Sequence, residues 1–379
     1  MTPRAVIAPK GRRRGSRFAA ALAVLMPTAC SESSPPIVQE VEWRLQEEVG
    51  RGLFEQPGTP VLGFNALAAA DDRIYLYDSQ GAAPFYEIDT RSLEVRGFGA
   101  WGGGSGQITP GSPAVLSVTA DRIFVHAILE SKLLVFSREL TLLHELGPEH
   151  GLPSSGAFYA VHDTLGLFLR SDPYTRATSL ARAYRIGGAE IARTELTLGD
   201  YAEGTALKPL RRNPLLNLGP VHADRAGRTF WAHYYSSFRA GFAADGAPLF
   251  LRSDPRDEPV PAAKVRRNGG VAVGDPENAV QGYVSLASDD RHLYALYSGE
   301  RLTRERVMAA RTGRGVEGLR LGEGRIVDVF EKADGSYRFS LTLPVWATHL
   351  AVDGGRIYAL VRQDAPRLAV YEKPRILDP

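Results

Sequence analysis

Cysteine is almost absent from this chain, which has 379 residues and a single Cys, Cys30. A domain that follows residue 30 therefore contains no disulfide and must be stabilised by its hydrophobic core, for which a chain of this length is ample. Amphipathic helical patterns are also missing, because no long run after residue 60 places apolar residues at i, i+3, i+4 and i+7. This absence argues against a doubly wound α/β fold, in which helices alternate with strands.

Local catalytic and metal-binding motifs are missing as well. The sequence contains no HExxH, HxH, CxxC or GxSxG pattern, so it predicts neither a local zinc site nor the nucleophile elbow of a serine hydrolase. The glycine-rich stretch 97–106 is followed by no helical pattern, so we interpret it as a connection that needs positive φ rather than as a phosphate-binding loop. We interpret the isolated histidines as structural or surface residues: His126, His144, His150, His162, His222, His233, His292 and His349.

A short phrase recurs along the chain. In each copy, turn-forming residues and a polar residue lead into alternating aromatic and aliphatic residues, and a second apolar strand follows after a gap. Recurrence of a strand–turn–strand unit at this spacing is typical of a repeat fold. The phrases are DDRIYLYDSQ at 71–80, TADRIFVHAI at 119–128, SDDRHLYALY at 288–297 and VDGGRIYALV at 352–361, and the second strands are PFYEID at 84–89, KLLVFS at 132–137, RIVDVFE at 325–331 and RLAVYE at 367–372.

Two weaker units lie in the middle of the chain, at 159–198 and 228–252, which makes six units in all. Six radial, four-stranded antiparallel sheets leave only short, protected edges. A β-sandwich closes with about seven strands in roughly 100 residues, and no linker-like stretch divides residues 60–375 into several such domains. The sequence therefore predicts an all-β, six-bladed β-propeller over 45–375, with the segment IVQEVEW at 37–43 as a candidate strand that completes the last blade.

The N-terminus has the pattern of an export signal. Residues 1–29 carry six basic residues and no acidic one, and they end in the apolar run FAAALAVLMPTA at 18–29. This run is shorter than the roughly 20 residues that a spanning helix needs. Removal of the signal would leave 39 basic against 43 acidic residues, so the mature chain would carry a net charge of −4 and gives no indication of nucleic-acid binding.

The residues around Cys30 resemble the cleavage site of bacterial lipoproteins, with Ala29 and Thr28 before the cysteine. The resemblance implies a diacylglycerol-modified Cys30 at the mature N-terminus. Ser31, in place of the Asp that favours retention at the inner membrane, implies anchoring in the outer membrane, facing the periplasm or the exterior. Residues 30–44 would then form a tether. The alternative is an ordinary secretory signal with an unmodified cysteine.

The stretch FGAWGGGSGQITP at 98–110 resembles a phrase of the TolB-like and NHL-like six-bladed propeller lipoproteins. The stretches at 282–300 and 325–344 resemble the fifth blade of that group, and 348–372 resembles its closing blade. The resemblance implies an exported or membrane-tethered propeller that binds or scaffolds other molecules. These motifs specify a fold rather than an activity.

A propeller enzyme similar to lactonases or strictosidine synthase is the alternative class. Such an enzyme gathers Asp, Glu and Asn side chains around calcium at one mouth of the channel, since calcium prefers oxygen ligands. No phrase of those enzymes appears in this sequence. The residues that could serve are Asn65, Asn213, Asn217, Asn278, Asp163, Asp224 and Asp289.

The segment 301–325 is rich in arginine and interrupts the fifth unit, so we predict a projecting loop. Its arginines can form bidentate bonds to carboxylate or phosphate, and Arg304, Arg306 and Arg311 are the candidate partner-binding residues. A solvated loop with internal ion pairs is the alternative interpretation. From the sequence we expect a monomeric, non-catalytic binding or scaffold lipoprotein for an envelope protein, peptide or glycan, with no cofactor, no metal and no nucleic acid.

Overall fold

The computed structural model describes the backbone of most of the propeller domain. All described residues lie in the unit formed by residues 36–379. They are 45–47, 64–79, 81–92, 94–112, 114–127, 130–147, 159–160, 166–169, 179–184, 196–197, 219–244, 247–256, 263–265, 271–273, 279–303, 305, 322–361 and 367–374.

The first half of the domain contains three antiparallel sheets, each made of four consecutive strands. Strand β1 (Leu45–Glu47) precedes them. Sheet 1 consists of β2 (Phe64–Ala70), β3 (Arg73–Asp78), β4 (Phe85–Asp89) and β5 (Val95–Phe98). A short parallel pair follows, β6 (Ala100–Trp101) and β7 (Gln107–Ile108). Sheet 2 consists of β8 (Ala114–Val118), β9 (Arg122–Ala127), β10 (Lys132–Ser137) and β11 (Leu142–Leu146). Sheet 3 consists of β12 (Tyr159–Ala160), β13 (Gly166–Leu169), β14 (Ser179–Tyr184) and β15 (Leu196–Thr197).

Two further sheets of the same kind follow in the second half. Sheet 4 consists of β16 (Val221–Ala223), β17 (Thr229–Ala232), β18 (Arg239–Phe242) and β19 (Pro248–Arg252). A two-stranded antiparallel pair comes next, β20 (Ala263–Val265) and β21 (Val271–Val273). Sheet 5 consists of β22 (Tyr283–Ser288), β23 (His292–Tyr297), β24 (Gly324–Glu331) and β25 (Tyr337–Ala347).

The last sheet joins the two ends of the domain. Its C-terminal part is β26 (His349–Asp353), β27 (Arg356–Val361) and β28 (Arg367–Glu372). Strand β1 adds to its outer edge by antiparallel pairing with β28, in the register Leu45 with Tyr371 and Glu47 with Val370. We name this composite of β26, β27, β28 and β1 the closing sheet.

The first strands of the sheets lie side by side around a common axis. Each of β2, β8, β12, β16, β22 and β26 contacts the next one, and β26 contacts β2, so the cycle closes. Within sheets 1 to 5 each strand pairs only with its sequence neighbours. The apolar faces of adjacent sheets pack against each other and form the core. Tyr75, Tyr77 and Phe85 of sheet 1, for example, are fully buried in one cluster with Ile123, Val125 and Leu134 of sheet 2.

The sequence predictions of an all-β propeller and of four-stranded antiparallel blades are confirmed by this arrangement. The blade count needs a correction, because the described residues form five blades from consecutive strands rather than six. The C-terminal unit has only three strands of its own before the domain ends, and its fourth comes from β1. This strand lies at Leu45–Glu47, after the segment 37–43 in which the sequence predicts it, and that segment lies outside the described residues.

No helix within the described ranges is long and apolar enough to span a membrane.

Candidate functional site: the central cavity

A cavity of about 530 Å³ lies between the first strands of the sheets. Its wall is formed by residues of β2, β8, β16, β22 and β26. Half-buried apolar side chains line it, and Leu67, Val115, Val221 and Val284 come from four different sheets. Alternation along these inner strands explains this lining, because successive side chains of a strand point to opposite faces. The volume is within the range of small-molecule sites, roughly 300–1,000 Å³.

Charged residues surround one end of the cavity, and we name this end the charged mouth. They come from the turns that follow the inner strands, and Asp289, Asp290 and Asp353 belong to the recurring phrases of the sequence at 288–297 and 352–361. Lys332 joins them from the turn between β24 and β25, and Lys373 joins them from the residues after β28. The lining charges at this mouth are Asp224, Arg225, Arg228, Asp289, Asp290, Lys332, Asp353 and Lys373.

Asp224 is held by its own turn and by Lys332. The backbone N–H groups of Ala226 and Arg228 donate to Asp224 Oδ1 over 3.0 and 2.8 Å, and Arg228 Nε donates to Oδ2 over 2.7 Å. Lys332 Nζ lies 2.9 Å from Oδ2, and both side chains are almost fully buried. Burial alone would raise the pKa of Asp224, but the Lys332 ammonium and these hydrogen bonds outweigh it and hold the pKa below its ordinary value.

Asp289 of sheet 5 is held in the same way. The backbone N–H groups of Arg291 and His292 donate to Oδ1, and the Tyr294 hydroxyl donates to Oδ2 over 2.7 Å. Lys373 Nζ lies 2.6 Å from Oδ2. Burial opposes ionisation of Asp289, but hydrogen bonds from His292, Lys373 and Tyr294 lower its pKa well below the ordinary value. Both carboxylates are therefore ionised near neutral pH.

Arg225 crosses the charged mouth. It belongs to the turn of sheet 4, yet its Nη1 lies 3.0 Å from Asp71 of sheet 1 and its Nη2 lies 2.9 Å from Asp353 of the closing sheet. Sheet 4 is not adjacent to either of them in the cycle of inner strands. The Arg225 side chain is 45% exposed and that of Asp71 is 53% exposed. Exposed ion pairs of this kind contribute about 0–1 kcal/mol, so this bridge can open at low cost.

His222 of β16 faces the cavity beside Ser288 of β22. Its Nε2 lies 2.9 Å from Ser288 Oγ, which links sheets 4 and 5. Burial lowers the pKa of His222 to about 4, and the nearby Asp224 offsets this only in part. The imidazole is therefore neutral near pH 7.

The structure brings together two of the residues that the sequence proposes for a calcium site, Asp224 and Asp289. Asn65 lies in β2. The others lie outside the described residues, as do Cys30 and the candidate partner-binding arginines Arg304, Arg306 and Arg311. In the described part of the chain no group of three or more His, Cys, Asp or Glu side chains could hold a metal ion.

The glycine-rich stretch after sheet 1 behaves as the sequence predicts. It connects sheets 1 and 2, and Gly99, Gly102 and Gly106 have φ values of 73°, 146° and 69°. These values favour glycine.

Sequence reasoning missed the cations of the charged mouth. Lys332 occupies a hairpin turn and Lys373 follows the last strand, positions that are typical of solvated lysines. Arg225 lies in a polar turn of a weak repeat unit. The signal that could have found them is their position in the repeat, since the turns between first and second strands, and between third and fourth strands, lie at the same end of every sheet.

No model of a known protein family matches the chain, and no curated protein matches it. Several solved structures are similar in fold. A protein from Bacteroides fragilis whose name calls it exported has a TM-score of 0.51 and 12% identity, with 90% of this chain and 97% of that chain covered. A member of the DUF4221 family from Bacteroides vulgatus has a TM-score of 0.50 and 9% identity, with 83% and 94% covered. The virginiamycin B lyase of Staphylococcus aureus reaches a TM-score of 0.44 at 10% identity, with 84% and 97% covered. At such identities the similarity establishes the propeller fold alone.

Proposed function

We propose that this protein is an exported, lipid-anchored propeller that acts as a non-catalytic binding or scaffold module for an envelope protein, peptide or glycan. The observation that carries the proposal is the pairing at the charged mouth. Asp224 and Asp289 are each neutralised by a lysine and by backbone N–H groups. A binding role needs such a preformed and rigid surface, whereas catalysis needs groups that exchange protons.

The pKa values at the mouth support binding over acid–base chemistry. A general acid or base works best when its pKa is near the working pH. The pKa values of Asp224 and Asp289 are lowered, and burial lowers that of His222 to about 4. At neutral pH the two carboxylates are therefore ionised and weakly basic, and His222 is a neutral, weakly basic imidazole.

A metal-dependent hydrolase is the second candidate, because Asp224 and Asp289 do meet at the cavity. Calcium requires six to eight oxygen ligands, and here the ammonium groups of Lys332 and Lys373 lie against the carboxylates instead. Calcium should therefore leave the melting temperature of the wild type unchanged. A calcium-dependent rise in melting temperature, together with lactone hydrolysis, would favour the hydrolase.

Export and anchoring rest on the signal-like residues 1–29 and on Cys30. The protein whose name calls it exported is similar in fold, and that name agrees with this proposal. A Cys30→Ser variant should leave the membrane fraction and lose the lipid mass from its N-terminal peptide. If the variant still sediments with membranes and the wild type carries no lipid, the proposal that Cys30 is a lipid anchor is wrong.

We also propose that the chain is a propeller of the TolB-like or NHL-like type, in which the composite closing sheet completes the ring. The support is the closed cycle of inner strands and the four-stranded order of that sheet.

The partner-binding surface is proposed at Arg304, Arg306 and Arg311. Replacing all three with Ala should reduce cross-linking and affinity capture of an envelope partner, and added salt should do the same for the wild type because it screens exposed charges. Arg91 and Arg338 are exposed arginines elsewhere, with 77% and 56% of their side chains accessible, and an Arg91→Ala, Arg338→Ala variant is the control. Capture that depends on neither the three arginines nor salt would reject this surface.

A further inference from the structure

Four carboxylates and four cations line the charged mouth, so their charges sum to zero. The numbers of unused hydrogen-bond donors and acceptors, however, are not equal. Three of the carboxylates are occupied by groups of the protein itself. Asp224 and Asp289 each accept from two backbone N–H groups and from a cation. Asp353 accepts from the backbone N–H of Asp72 over 2.9 Å and from Arg225 over 2.9 Å.

Lys332 uses two of its donors, on Asp224 and on the backbone carbonyl of Asp289. The other three cations of the mouth have more N–H groups than their contacts with described residues use. A guanidinium carries five N–H donors and an ammonium carries three. Toward described residues, Arg225 uses Nη1 and Nη2 once each, Arg228 uses Nε, and Lys373 uses one N–H. The mouth therefore has more donors than acceptors, and a ligand rich in acceptor oxygens would fill this deficit.

Part of the cavity wall is apolar. Leu67, Val115, Val221 and Val284 line it and each is half-buried, while Leu67 and Val284 also pack against the cores between sheets. Covering such surface stabilises a complex by about 25 cal/mol for each Å² removed from water. An apolar body therefore fits below the charged mouth.

Arg225 is the cation most accessible to a ligand. Its contact with Asp71 is made between two side chains that are each about half exposed, so a ligand anion can replace Asp71 at little cost. Asp353 stays on the other side of the guanidinium and keeps it oriented, because Asp353 is only 13% exposed and is fixed by Asp72 N–H. Asp290 opposes an anion, since it lines the mouth and is exposed.

We propose that the central cavity binds a small amphiphilic acid, with a carboxylate or phosphate head at Arg225 and an apolar body against the inner strands. This site rests on the proposed binding function and names a ligand class for it. The head forms charge-assisted hydrogen bonds to the guanidinium in place of Asp71, and the chain displaces water from the apolar wall.

The test uses the full chain with Cys30→Ser, which needs no detergent, and calorimetric titration with four probes. Octanoate and octyl phosphate carry both parts, acetate carries the head alone, and octylammonium reverses the charge. We expect octanoate or octyl phosphate to bind at least tenfold more tightly than acetate and octylammonium. Comparison of the first two identifies the head as carboxylate or phosphate.

Variants of the mouth test the assignment of the head. Arg225→Gln should weaken octanoate binding at least tenfold, because a hydrogen bond to a charged group contributes about 1.5–3 kcal/mol. Asp71→Asn and Asp290→Asn should each strengthen it several-fold, since one removes the competitor and the other removes a like charge. Arg338→Gln, on the outer strand β25, should leave the affinity unchanged.

Tighter binding of octylammonium than of octanoate would overturn the proposal, and so would an affinity that Arg225→Gln does not change in a variant that melts as the wild type does. Absence of binding by all four probes would also overturn it. If capture of an envelope partner still depends on the arginines at 304, 306 and 311, the binding function stands while the cavity site fails.

Discussion

The folding stability of this protein depends on pH through individual buried histidines. His222 at the cavity has a pKa lowered from 6.5 to about 4 by burial, and the buried His126 of sheet 2 has a pKa lowered to about 3 by the same cause. In the unfolded chain both imidazoles take up a proton below about pH 6.5. The unfolded state therefore binds more protons between this pH and the folded pKa, and stability falls as the pH falls through that window.

We predict that a His222→Asn variant loses less stability than the wild type between pH 6.5 and pH 4. The asparagine can keep a hydrogen bond to Ser288 but does not titrate. The lowered pKa of His222 corresponds to a loss of about 3 kcal/mol of unfolding free energy between these pH values. Denaturant unfolding at several pH values measures this loss.

His144, which is exposed on β11, supplies the matched control for this experiment. A His144→Asn variant should keep the pH dependence of the wild type. If His222→Asn and His144→Asn behave alike, the pKa of His222 is not depressed in the folded protein.

At the scale of the element, the turns between strands differ in how closely neighbours approach them. Gly335, between β24 and β25, and Gly355, between β26 and β27, both have positive φ, 70° and 81°. A Cβ added at Gly335 would overlap the ring of Phe250 in sheet 4, whereas one added at Gly355 would meet nothing within 4 Å.

We predict that Gly355→Ala lowers the unfolding free energy by about 1 kcal/mol, because the alanine adds backbone strain but no steric overlap. Gly335→Ala should cost about 1–3 kcal/mol more, since it adds overpacking at the contact between sheets 4 and 5. Chemical denaturation of the two variants gives the difference. Equal costs would mean that Phe250 moves aside freely.

Sequence reasoning found the elements best where the repeat was strong. The phrases at 71–80 and 288–297 contain all of β3 and all of β23, because a turn followed by alternating apolar residues specifies a buried strand locally. The observed edge strand β1 lies just after the segment 37–43, which lies outside the described residues, and a three-residue edge strand is selected by its partner β28 rather than by its own pattern. The mouth was found only in part for the same reason. Asp224 and Asp289 are recognisable as acidic residues that follow a strand. The lysines that contact them, Lys332 and Lys373, lie in distant parts of the sequence, so no local pattern predicts these contacts.

At the scale of the whole molecule, β1 is the element that joins the two ends of the domain. Without it β28 would become an exposed edge and the closing sheet would keep three strands. We predict that removal of all residues up to Glu47 lowers the unfolding free energy by about 2 kcal/mol, from lost hydrogen bonds of about 1 kcal/mol each. Removal of residues up to 44 should leave it unchanged.

Thermal unfolding of the two truncated chains separates these outcomes. Equal melting temperatures for both chains and the full domain would mean that β1 does not hold the ring. A loss already present in the chain that starts at residue 45 would mean that the segment 37–43 contributes to closure, as its strand-like pattern predicts.

The position of β1 also determines how a mechanical load enters the protein. Leu45 is the fifteenth residue after Cys30, so a tether from a lipidated Cys30 reaches at most about 50 Å before it becomes taut. If the protein is anchored in this way and binds a partner, any further pull between the membrane and that partner is carried by the pairing of β1 with β28 before it reaches any other strand. The same two residue pairs that close the ring would be its first point of rupture, so the force that this module withstands is set by the hydrogen bonds of a three-residue strand.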